Sequence, residues 1–553
     1  MRRTCFLGML FLGSMAACTT VTAKVFLRVE ASPLPPADKT GIQDVVLLWP
    51  LRDLSVAAKL HSQGYRVFLQ CESKDLAAAV VTADRAAVTG MIVTNTAHSS
   101  QSPEQLRPYF AAHKSLTFRM LVPGGKQPQI KGRLVVERDG VLQVSSPSSQ
   151  PWLDTNLALV RLAQSMDPDS LPIIYDFHWD TSGPLPDAWH PDAEAYAVAI
   201  AEADAIRSDV TIDLPGSLQR ALVADDLRAW TLWKAIMPYL DFSSHAATER
   251  MLPVANLGVI VDDAQASYEA INLMARHNLA FESVRPSGLT LARLRSWNSV
   301  VVFCPLNKEA VALLRDFAAS GGIVVFVNTH DEFPWHSAPP LRQESRATVY
   351  SIGAGQVIEL AEPIVDPENF ARDLRRLIGR ERSALALWNS LTTIVTGYRE
   401  QSRPDVTVYL VNYANQPDSV QVQVKGRFTR VRLESPEKPC CVSLPFVERG
   451  GFTEFTIPAL CITARVHLHS ARESSAAPWK ERVIDAQTSV VPDQDVGFTP
   501  QVDTRGATVV FENKSGNREE AATSPPSPDP LILLGDTRVR PGHMGDTPYR
   551  RRR

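Results

Sequence analysis

The stretch KEAVALLRDFAASGGIVVFV, residues 308–327, decides the fold class of the middle of this chain. Its first part carries apolar side chains three and four positions apart, which predicts an amphipathic helix from Lys308 to Ser320. The pair Gly321–Gly322 then ends this helix, and the apolar run Ile323–Val327 is typical of a strand buried on both faces. A helix that leads directly into a buried strand is the repeating unit of a parallel α/β sheet.

The same alternation surrounds this stretch on both sides. Apolar runs predict further strands at residues 257–261, 281–284 and 299–304. Amphipathic runs predict helices at residues 268–277, 289–295 and 367–378. We therefore expect a flavodoxin-like, doubly wound domain over residues 254–380.

A second alternation precedes the first. The buried-strand pattern of Val45–Trp49 opens it, and strand and helix patterns then follow as far as residue 242. A complete eight-unit barrel typically needs ~250 residues, so residues 44–242 predict a reduced or irregular (β/α) barrel. The Pro-, Ala- and Lys-rich residues 24–43 are interpreted as a linker.

From residue 383 onward the apolar period changes to two. Short alternating runs such as Val406–Tyr413 and Val420–Val424 lie between Gly, Pro and Asn turns, which predicts a β-sandwich over residues 383–470. Residues 471–553 are polar and rich in Pro, Ser and Asp, and we expect this tail to be disordered.

The composition fits a soluble protein of several domains, because 44% of the 553 residues are hydrophobic and 21% are charged. The net charge of −3 gives no electrostatic case for a nucleic-acid partner. The terminal run Arg550–Arg553 is interpreted as a solvated tail.

Residues 1–23 have the pattern of an export signal. Arg2 and Arg3 precede the apolar run Cys5–Met15, which is too short to remain as a membrane-spanning helix. Small residues before Cys18 resemble a bacterial lipobox, in which Cys18 is acylated and becomes the mature N-terminus. Cleavage after Ala23 is the alternative. We therefore expect an exported protein, either a periplasmic or outer-membrane-anchored lipoprotein or a secreted protein.

The remaining five cysteines are an odd and sparse set, which is not the pattern of a disulfide framework. Cys304 lies in an apolar run and is expected to be a buried thiol. In an oxidising compartment Cys461 could pair with Cys440 or Cys441, and inert thiols are the alternative.

Two parts of this layout resemble a known family. Residues Leu257–Asn328 are similar to the amidotransferase-like domain that follows the catalytic barrel in β-galactosidases with a trimerisation domain. The sandwich, with Leu387–Asn389 and Leu410–Tyr413, is similar to the domain that closes those enzymes. The resemblance implies a TIM-barrel glycoside hydrolase with a carbohydrate ligand, and a homo-oligomer formed through the middle domain.

The chain departs from that family at the residues that carry the chemistry. The family places two catalytic glutamates at the carboxyl ends of barrel strands, one of them in an Asn-Glu pair. No Asn-Glu pair occurs between Asp44 and Phe242, so neither glutamate is identified. Amidotransferase activity is not expected either, because it needs a cysteine on a glycine-flanked turn, whereas Pro305 and Leu306 follow Cys304.

The strongest local cluster is Tyr175–Asp180, at the carboxyl end of a predicted strand. Alternation sends Asp176, His178 and Asp180 to one side, where they could serve acid/base chemistry, bind sugar hydroxyls or hold a metal. Trp179 offers a flat apolar face of the kind that stacks on a sugar ring. The alternative is a strand end whose polar side chains cap a neighbouring helix.

Two further candidates follow the same logic. Trp152, Asp154 and Asn156 combine an aromatic ring with side chains that pair with vicinal hydroxyls. Asp154 is equally suited to cap the helix that follows it. Asp213 ends another predicted strand, a position that suits a base or nucleophile, or alternatively a helix cap.

Other carboxylates are not assigned to a site. Glu202 and Asp204 lie on a predicted outer helix of the barrel, so we expect them to be solvated. Asp262 and Asp263 follow a strand of the middle domain, but no glycine loop accompanies them to bind a nucleotide phosphate.

Together these observations predict an exported glycoside hydrolase-like protein that acts on or binds carbohydrate through its barrel. Asp180 and Asp213 are the expected catalytic carboxylates. The residues expected to hold the sugar are Trp152, Asp154, Asn156, Asp176, His178 and Trp179. No cofactor and no metal are expected. The alternative function is a non-catalytic carbohydrate-binding or envelope-scaffold lipoprotein. If the carboxyl groups of Asp180 and Asp213 lie about 5–10 Å apart across an open cleft, hydrolysis is favoured instead.

Overall fold

The computed structural model describes most of the first 470 residues of the chain. The described ranges are 25–29, 33–94, 103–131, 136–138, 141–143, 152–166, 173–176, 192–244, 251–344, 346–400, 404–414 and 416–470. No helix within these ranges is long and apolar enough to span a bilayer.

The N-terminal part of the chain alternates strands with helices. Its strands are β1 (Val25–Val29), β2 (Asp44–Leu48), β3 (Arg66–Glu72), β4 (Gly90–Thr94), β5 (Thr117–Val122), β6 (Gln129–Lys131), β7 (Val136–Arg138), β8 (Val141–Gln143), β9 (Trp152–Asp154), β10 (Ile173–Asp176) and β11 (Asp209–Leu214). Its helices are α1 (Ala37–Thr40), α2 (Ser55–Ser62), α3 (Leu76–Ala86), α4 (Pro103–Ala112), α5 (Leu157–Met166), α6 (Ala193–Ile206), α7 (Gly216–Val223) and α8 (Leu227–Ser244).

Seven of these strands form a closed parallel barrel in the order β1-β11-β10-β5-β4-β3-β2. The pairs β6–β9 and β7–β8 are separate two-stranded sheets. A parallel sheet closed on itself and accompanied by helices fits a TIM-like barrel. The predicted barrel class of this part of the chain is therefore confirmed.

The first barrel strand lies in residues that the sequence pattern assigns to a linker, and that assignment is wrong. β1 pairs in parallel with both β11 and β2 and so closes the barrel. Phe26 and Leu27 are fully buried, one in the lumen and one against the surrounding helices. The five-residue run VFLRV is too short to stand out by periodicity, and the partner of Arg28, Asp213, lies 185 positions further along the chain.

The barrel is filled by its own side chains. An apolar layer takes one lumen-facing residue from each of five strands: Phe26, Val46, Phe68, Ile92 and Leu121. Because side chains alternate along a strand, residues two positions away from these also face the lumen. Nearer the amino ends of the strands, Arg119 and Asp209 form a buried ion pair at 2.7 Å.

The middle of the chain forms a second α/β unit, preceded by the short strand β12 (Met251–Pro253). Its strands are β13 (Leu257–Ile260), β14 (Phe281–Val284), β15 (Ser299–Val302), β16 (Ile323–Val327), β17 (Arg342–Gln343), β18 (Ala347–Ile352) and β19 (Gly355–Leu360). Its helices are α9 (Ala264–Arg276), α10 (Leu291–Leu294), α11 (Lys308–Ala319) and α12 (Pro367–Arg382). The sheet order is β14-β13-β15-β16-β19-β18-β17, and its first five strands are parallel.

The stretch 308–327 folds into the predicted helix and strand, α11 and β16. Gly321 has a φ of 108°, a left-handed value that glycine adopts without steric cost. At Gly322 a Cβ atom would lie 2.3 Å from the Phe317 ring. Glycine at this position therefore allows the helix to pack directly against the start of the strand.

The last described part of the chain is antiparallel. Its strands are β20 (Leu385–Trp388), β21 (Thr393–Glu400), β22 (Val406–Asn412), β23 (Asp418–Lys425), β24 (Arg430–Ser435), β25 (Lys438–Ser443), β26 (Phe446–Arg449), β27 (Phe452–Leu460) and β28 (Thr463–His469). They form two sheets, β12-β21-β22-β28-β24-β25 and β20-β23-β27-β26. Val408, Val422 and Val466 belong to their shared core and are fully buried. The predicted antiparallel sheets are confirmed.

The first of these sheets is also covered on its other face, by helix α6 of the barrel. Thr396 and Tyr398 of β21 both donate hydrogen bonds to the Ala205 carbonyl, at 2.6 and 2.9 Å. As a result α6 is buried at every position from Tyr196 to Ile206. The barrel, the middle domain and the sandwich pack as one unit.

Neither predicted arrangement of the cysteines is correct throughout. Cys461 is a free thiol, so its pairing with Cys440 or Cys441 is wrong, and Cys441 is disulfide-bonded, so it is not an inert thiol. Burial raises the pKa of the free Cys71 thiol to about 12. Such a thiol is protonated near neutral pH and is a poor nucleophile.

Candidate functional site

The carboxyl end of the barrel brings together charged and polar side chains above the apolar layer. Asp213 of β11 is in register with Arg28 of β1, and the Arg28 Nε donates to the Asp213 carboxylate. The side chain of Asp213 is 31% exposed and that of Arg28 is 11% exposed. The pair therefore lies at the barrel mouth, within reach of solvent. Sequence pattern misses Arg28 because it assigns this strand to a linker.

A buried phenol fixes the end of β11. The Tyr196 hydroxyl, from α6, donates to the Asp213 carbonyl at 2.7 Å. Tyr196 is fully buried against Trp233, with their ring centroids 6.3 Å apart. Burial raises the pKa of Tyr196, so its hydroxyl stays protonated and remains a donor. This contact holds the backbone that carries Asp213.

Further polar residues surround the mouth on β3 and β4. On β3, Gln70 and Glu72 face the lumen, because they lie two and four positions after the lumen-facing Phe68. On β4, Thr94 does the same two positions after Ile92. The Gln70 amide donates to the Thr94 hydroxyl at 3.3 Å. The Glu72 carboxylate is about half exposed and pairs with Lys74 at 2.6 Å. Glu72 is a lumen-facing carboxylate at a strand end that sequence reasoning missed, because no Asn-Glu pair marks it.

Several predicted residues lie outside the described residues and stay predictions. They are His178, Trp179 and Asp180 of the predicted sugar site, and Cys18, the predicted lipidation position. Asp176 ends β10, where its backbone is in register with Thr211.

In the second predicted cluster, the side chains of Asp154 and Asn156 are engaged with other parts of the protein. Trp152 opens β9, and Asp154 ends it. The Asp154 side chain is buried and accepts a hydrogen bond from Arg276 of α9, at 3.0 Å. This ion pair joins the barrel domain to the middle domain, so the carboxylate is engaged by the protein.

Asn156 is likewise engaged within the protein. Its side chain is buried and makes two hydrogen bonds of 2.7 Å with the backbone of Lys126, in the loop that follows β5. Its amide also donates to Glu202 at 2.8 Å. Asn156 thus positions the loop after β5 rather than presenting a free amide to a ligand.

Glu202 and Asp204 are not solvated, contrary to the sequence-based expectation, since their exposures are 0% and 1%. The sandwich covers the face of α6 that carries them. The Glu202 carboxylate accepts from the Tyr413 hydroxyl at 2.6 Å and from the Asn156 backbone at 3.0 Å. Burial raises its pKa, although these donors oppose the shift. The nearly continuous apolar composition of α6 was the available signal for a buried helix.

Asp204 forms the second buried contact between the barrel and the sandwich. Arg465 of β28 donates two hydrogen bonds to its Oδ2 atom, at 2.8 and 3.1 Å. The same guanidinium donates to the Phe242 carbonyl at 2.8 Å. Both charged side chains are 2% exposed, so solvent does not screen the pair.

The middle domain does not contain an activated cysteine. The Cys304 thiol lies half-buried at the end of β15, 3.9 Å from the Ile260 carbonyl. Burial raises its pKa to about 11, so it is protonated near neutral pH. Within the described ranges, no group of three or more His, Cys, Asp or Glu side chains could hold a metal ion.

Comparison with known proteins gives a fold likeness. No protein-family model and no curated protein matches the sequence. The structure is similar to alpha-L-fucosidase isoenzyme 2 from Paenibacillus thiaminolyticus, with a TM-score of 0.50 and 11% identity over 82% of this chain and 100% of that one. This chain therefore has a glycoside hydrolase-like fold.

Two other glycosidases show weaker likeness. A GH42 beta-galactosidase from G. stearothermophilus matches with a TM-score of 0.39 and 10% identity over 75% of this chain and 68% of that one. A rhamnosidase from Novosphingobium sp. PP1Y matches with a TM-score of 0.41 and 11% identity over 78% and 41%. Since both TM-scores are below 0.5, neither carries an argument.

Proposed function

We propose that this protein hydrolyses a glycosidic bond at the carboxyl-end mouth of its barrel. The observation that carries the proposal is Asp213, a solvent-accessible carboxylate held at a strand end against Arg28. Strand ends at this face are where barrels of this class hold their catalytic groups. The glycoside hydrolase-like fold supports the same assignment.

In this proposal two carboxylates share the work. Asp213 attacks the sugar or activates water, with its orientation fixed by Arg28 and by the Tyr196 contact to its backbone. Asp180, the other carboxylate of the predicted pair, donates the proton to the leaving group. Glu72 is the competing candidate for that acid, because it is a lumen-facing carboxylate at the end of β3.

The remaining predicted residues divide into two roles. Asp176, His178 and Trp179 would bind the sugar near Asp213. Asp154 and Asn156 would position the surrounding structure, because their side chains are already engaged with Arg276 and Glu202. Trp152 stays a proposed sugar contact.

The middle domain is proposed to be a flavodoxin-like, amidotransferase-type scaffold without amidotransferase activity. Its strand order, in which β13 lies between β14 and β15, supports the flavodoxin-like assignment. The raised pKa of Cys304 speaks against a nucleophilic thiol. Assembly through this domain, export, and acylation of Cys18 belong to the same proposal.

The test is hydrolysis of chromogenic aryl glycosides, including α-L-fucosides and β-galactosides, by the purified chain. Asp213→Asn should lower the rate by roughly 10²–10⁴-fold, because the reaction loses a catalytic carboxylate. Asp180→Asn and Glu72→Gln distinguish the two candidate acids. Asp225→Asn is the matched control, since Asp225 is exposed and asparagine tolerates its φ of 54°.

The outcomes separate catalysis from binding. Full activity of Asp213→Asn would refute the assigned role of that residue. No turnover of any glycoside, combined with sugar binding that Asp213→Asn weakens, would replace the hydrolase with a carbohydrate-binding protein.

A further inference from the structure

A cleft of about 430 Å³ opens at the carboxyl edge of the middle-domain sheet. The residues that follow β15 and β16 form two of its sides, and the first turns of α9 and α12 complete it. In open parallel sheets, ligands bind outside the carboxyl ends of the strands, where the strand order reverses. Here the strand order reverses between β13 and β15, and the residues that follow β15 line one side of the cleft. The volume lies within the ~300–1,000 Å³ of small-molecule sites.

The floor of this cleft is uncharged. Val302 and Phe326 are buried beneath it, and Ser267 contributes a buried hydroxyl. The Cys304 thiol is neutral because burial raises its pKa to about 11. Phe303 adds a partly buried ring to the same cleft. An ion placed against this floor would lose hydration without gaining a counter-charge.

The rim carries hydrogen-bonding groups. Asn328, His330 and Asp331 follow β16, and Glu269 faces them from α9. These four side chains are exposed, and within the described ranges none makes a hydrogen bond to another protein group. Asn328 has a φ of 53°, a left-handed backbone value that asparagine adopts more readily than most residues. This conformation turns the chain at the edge of the cleft.

The chemistry of the lining selects among ligand classes. Among the described residues, neither lysine nor arginine lines the cleft, whereas two carboxylates do, so phosphates and other anions are disfavoured. Carboxylate and amide side chains pair with vicinal hydroxyls. Phe303, Pro305 and Ile364 supply an apolar wall for the C–H face of a ring.

We propose that this cleft is a binding site for a small, uncharged, polyhydroxylated ligand of sugar or polyol type, separate from the barrel mouth. Asn328, Asp331 and Glu269 bind hydroxyl groups at the rim, and the apolar wall contacts the carbon skeleton. The site does not depend on hydrolysis in the barrel, because its lining, as far as the structure describes it, comes from the middle domain alone.

The experiment is isothermal titration calorimetry of the full chain with pentoses, hexoses and linear polyols. Hexose phosphates and primary amines of similar size form the comparison arms. Asn328→Gly removes the amide without adding backbone strain, and Asp331→Asn replaces one carboxylate. Each should weaken the binding of the best ligand by about tenfold, because a hydrogen bond to the ligand is lost or weakened.

Two control variants test whether the ligand binds in the cleft. Glu332→Gln changes the neighbouring exposed carboxylate, which does not line the cleft, and should leave the affinity unchanged. Asp213→Asn changes only the barrel mouth. If this variant still binds the ligand, the heat measured on titration comes from binding in the cleft. Circular dichroism verifies that every variant is folded.

Each result decides the proposal. Binding of a neutral sugar or polyol that is lost in Asn328→Gly and Asp331→Asn but kept in Asp213→Asn supports it. Binding that disappears in Asp213→Asn alone, preferential binding of phosphates or amines, or no binding of any neutral compound would overturn it.

Discussion

Replacing Arg465 with methionine should strongly destabilise the packing of the sandwich on the barrel. The change removes two hydrogen bonds to Asp204 and one to the Phe242 carbonyl. It also removes a cation that lies 4.1 Å from the centre of the Phe242 ring. Above all, it leaves the Asp204 carboxylate, whose side chain is 2% exposed, with no cationic partner in direct contact.

The magnitude follows from that uncompensated charge. The Oδ1 atom of Asp204 has no hydrogen-bond partner among the described residues, so Arg465 supplies the bonds that its carboxylate accepts through Oδ2. Removing one member of a buried ion pair typically costs about 3–5 kcal/mol in the free energy of unfolding. Removing both members is far less costly, because no buried charge remains.

The assay is urea unfolding followed by circular dichroism and tryptophan fluorescence. We expect the midpoint of Arg465→Met to fall, and that of the double variant Asp204→Leu with Arg465→Met to recover most of the loss. Arg430→Met, an exposed position in the same sheet, is the matched control. A loss under about 1 kcal/mol for Arg465→Met, or additive effects in the double variant, would refute the reasoning.

Three further predictions test other parts of the fold. Burial raises the pKa of Asp373 to about 6, so the contribution of this carboxyl group to the free energy of unfolding is present at low pH and is lost as the pH rises through about 6. In urea titrations, Asp373→Asn should therefore become more stable relative to the parent protein between pH 4 and pH 7.5. Asp316→Asn, which changes an exposed carboxylate, should not. Gly322→Ala should lower stability by about 1–3 kcal/mol, because its Cβ would overlap the Phe317 ring, and an unchanged thermal midpoint would contradict this. At pH 7.5 Cys304 should react with iodoacetamide far more slowly than a solvent-exposed small-molecule thiol does, as mass spectrometry can measure. If Cys304 is labelled as fast as that small-molecule thiol, the protein does not shield it.

The periodicity of apolar residues predicted those elements of the fold that are determined by residues close together in the sequence. In α11 and β16 the helix, its glycine end and the following strand occupy consecutive positions, so periodicity alone locates them. β1 could not be located in this way, because five residues carry little periodic signal and their strand character depends on distant partners. Its omission also hid Arg28 from the candidate site.

The site was only partly predictable for a related reason. The position of Asp213 near a strand end was predictable, because a strand pattern leads up to it in the sequence. Asp154 and Asn156 have the residue types of a sugar site, but the protein itself provides their partners, and pattern cannot distinguish a protein partner from a ligand. The burial of Asp204 depends on Arg465, which is 261 positions away, so the composition of α6 alone does not establish it.

The position of α6 restricts how a substrate could reach the barrel. Swinging the sandwich away would expose an apolar helix and hydrate the carboxylates of Glu202 and Asp204, separating them from Tyr413 and Arg465. Such a hinge motion is disfavoured by the same contacts that join the two parts. The proposed hydrolase would therefore admit its substrate with the sandwich in place, without closure of this domain around it.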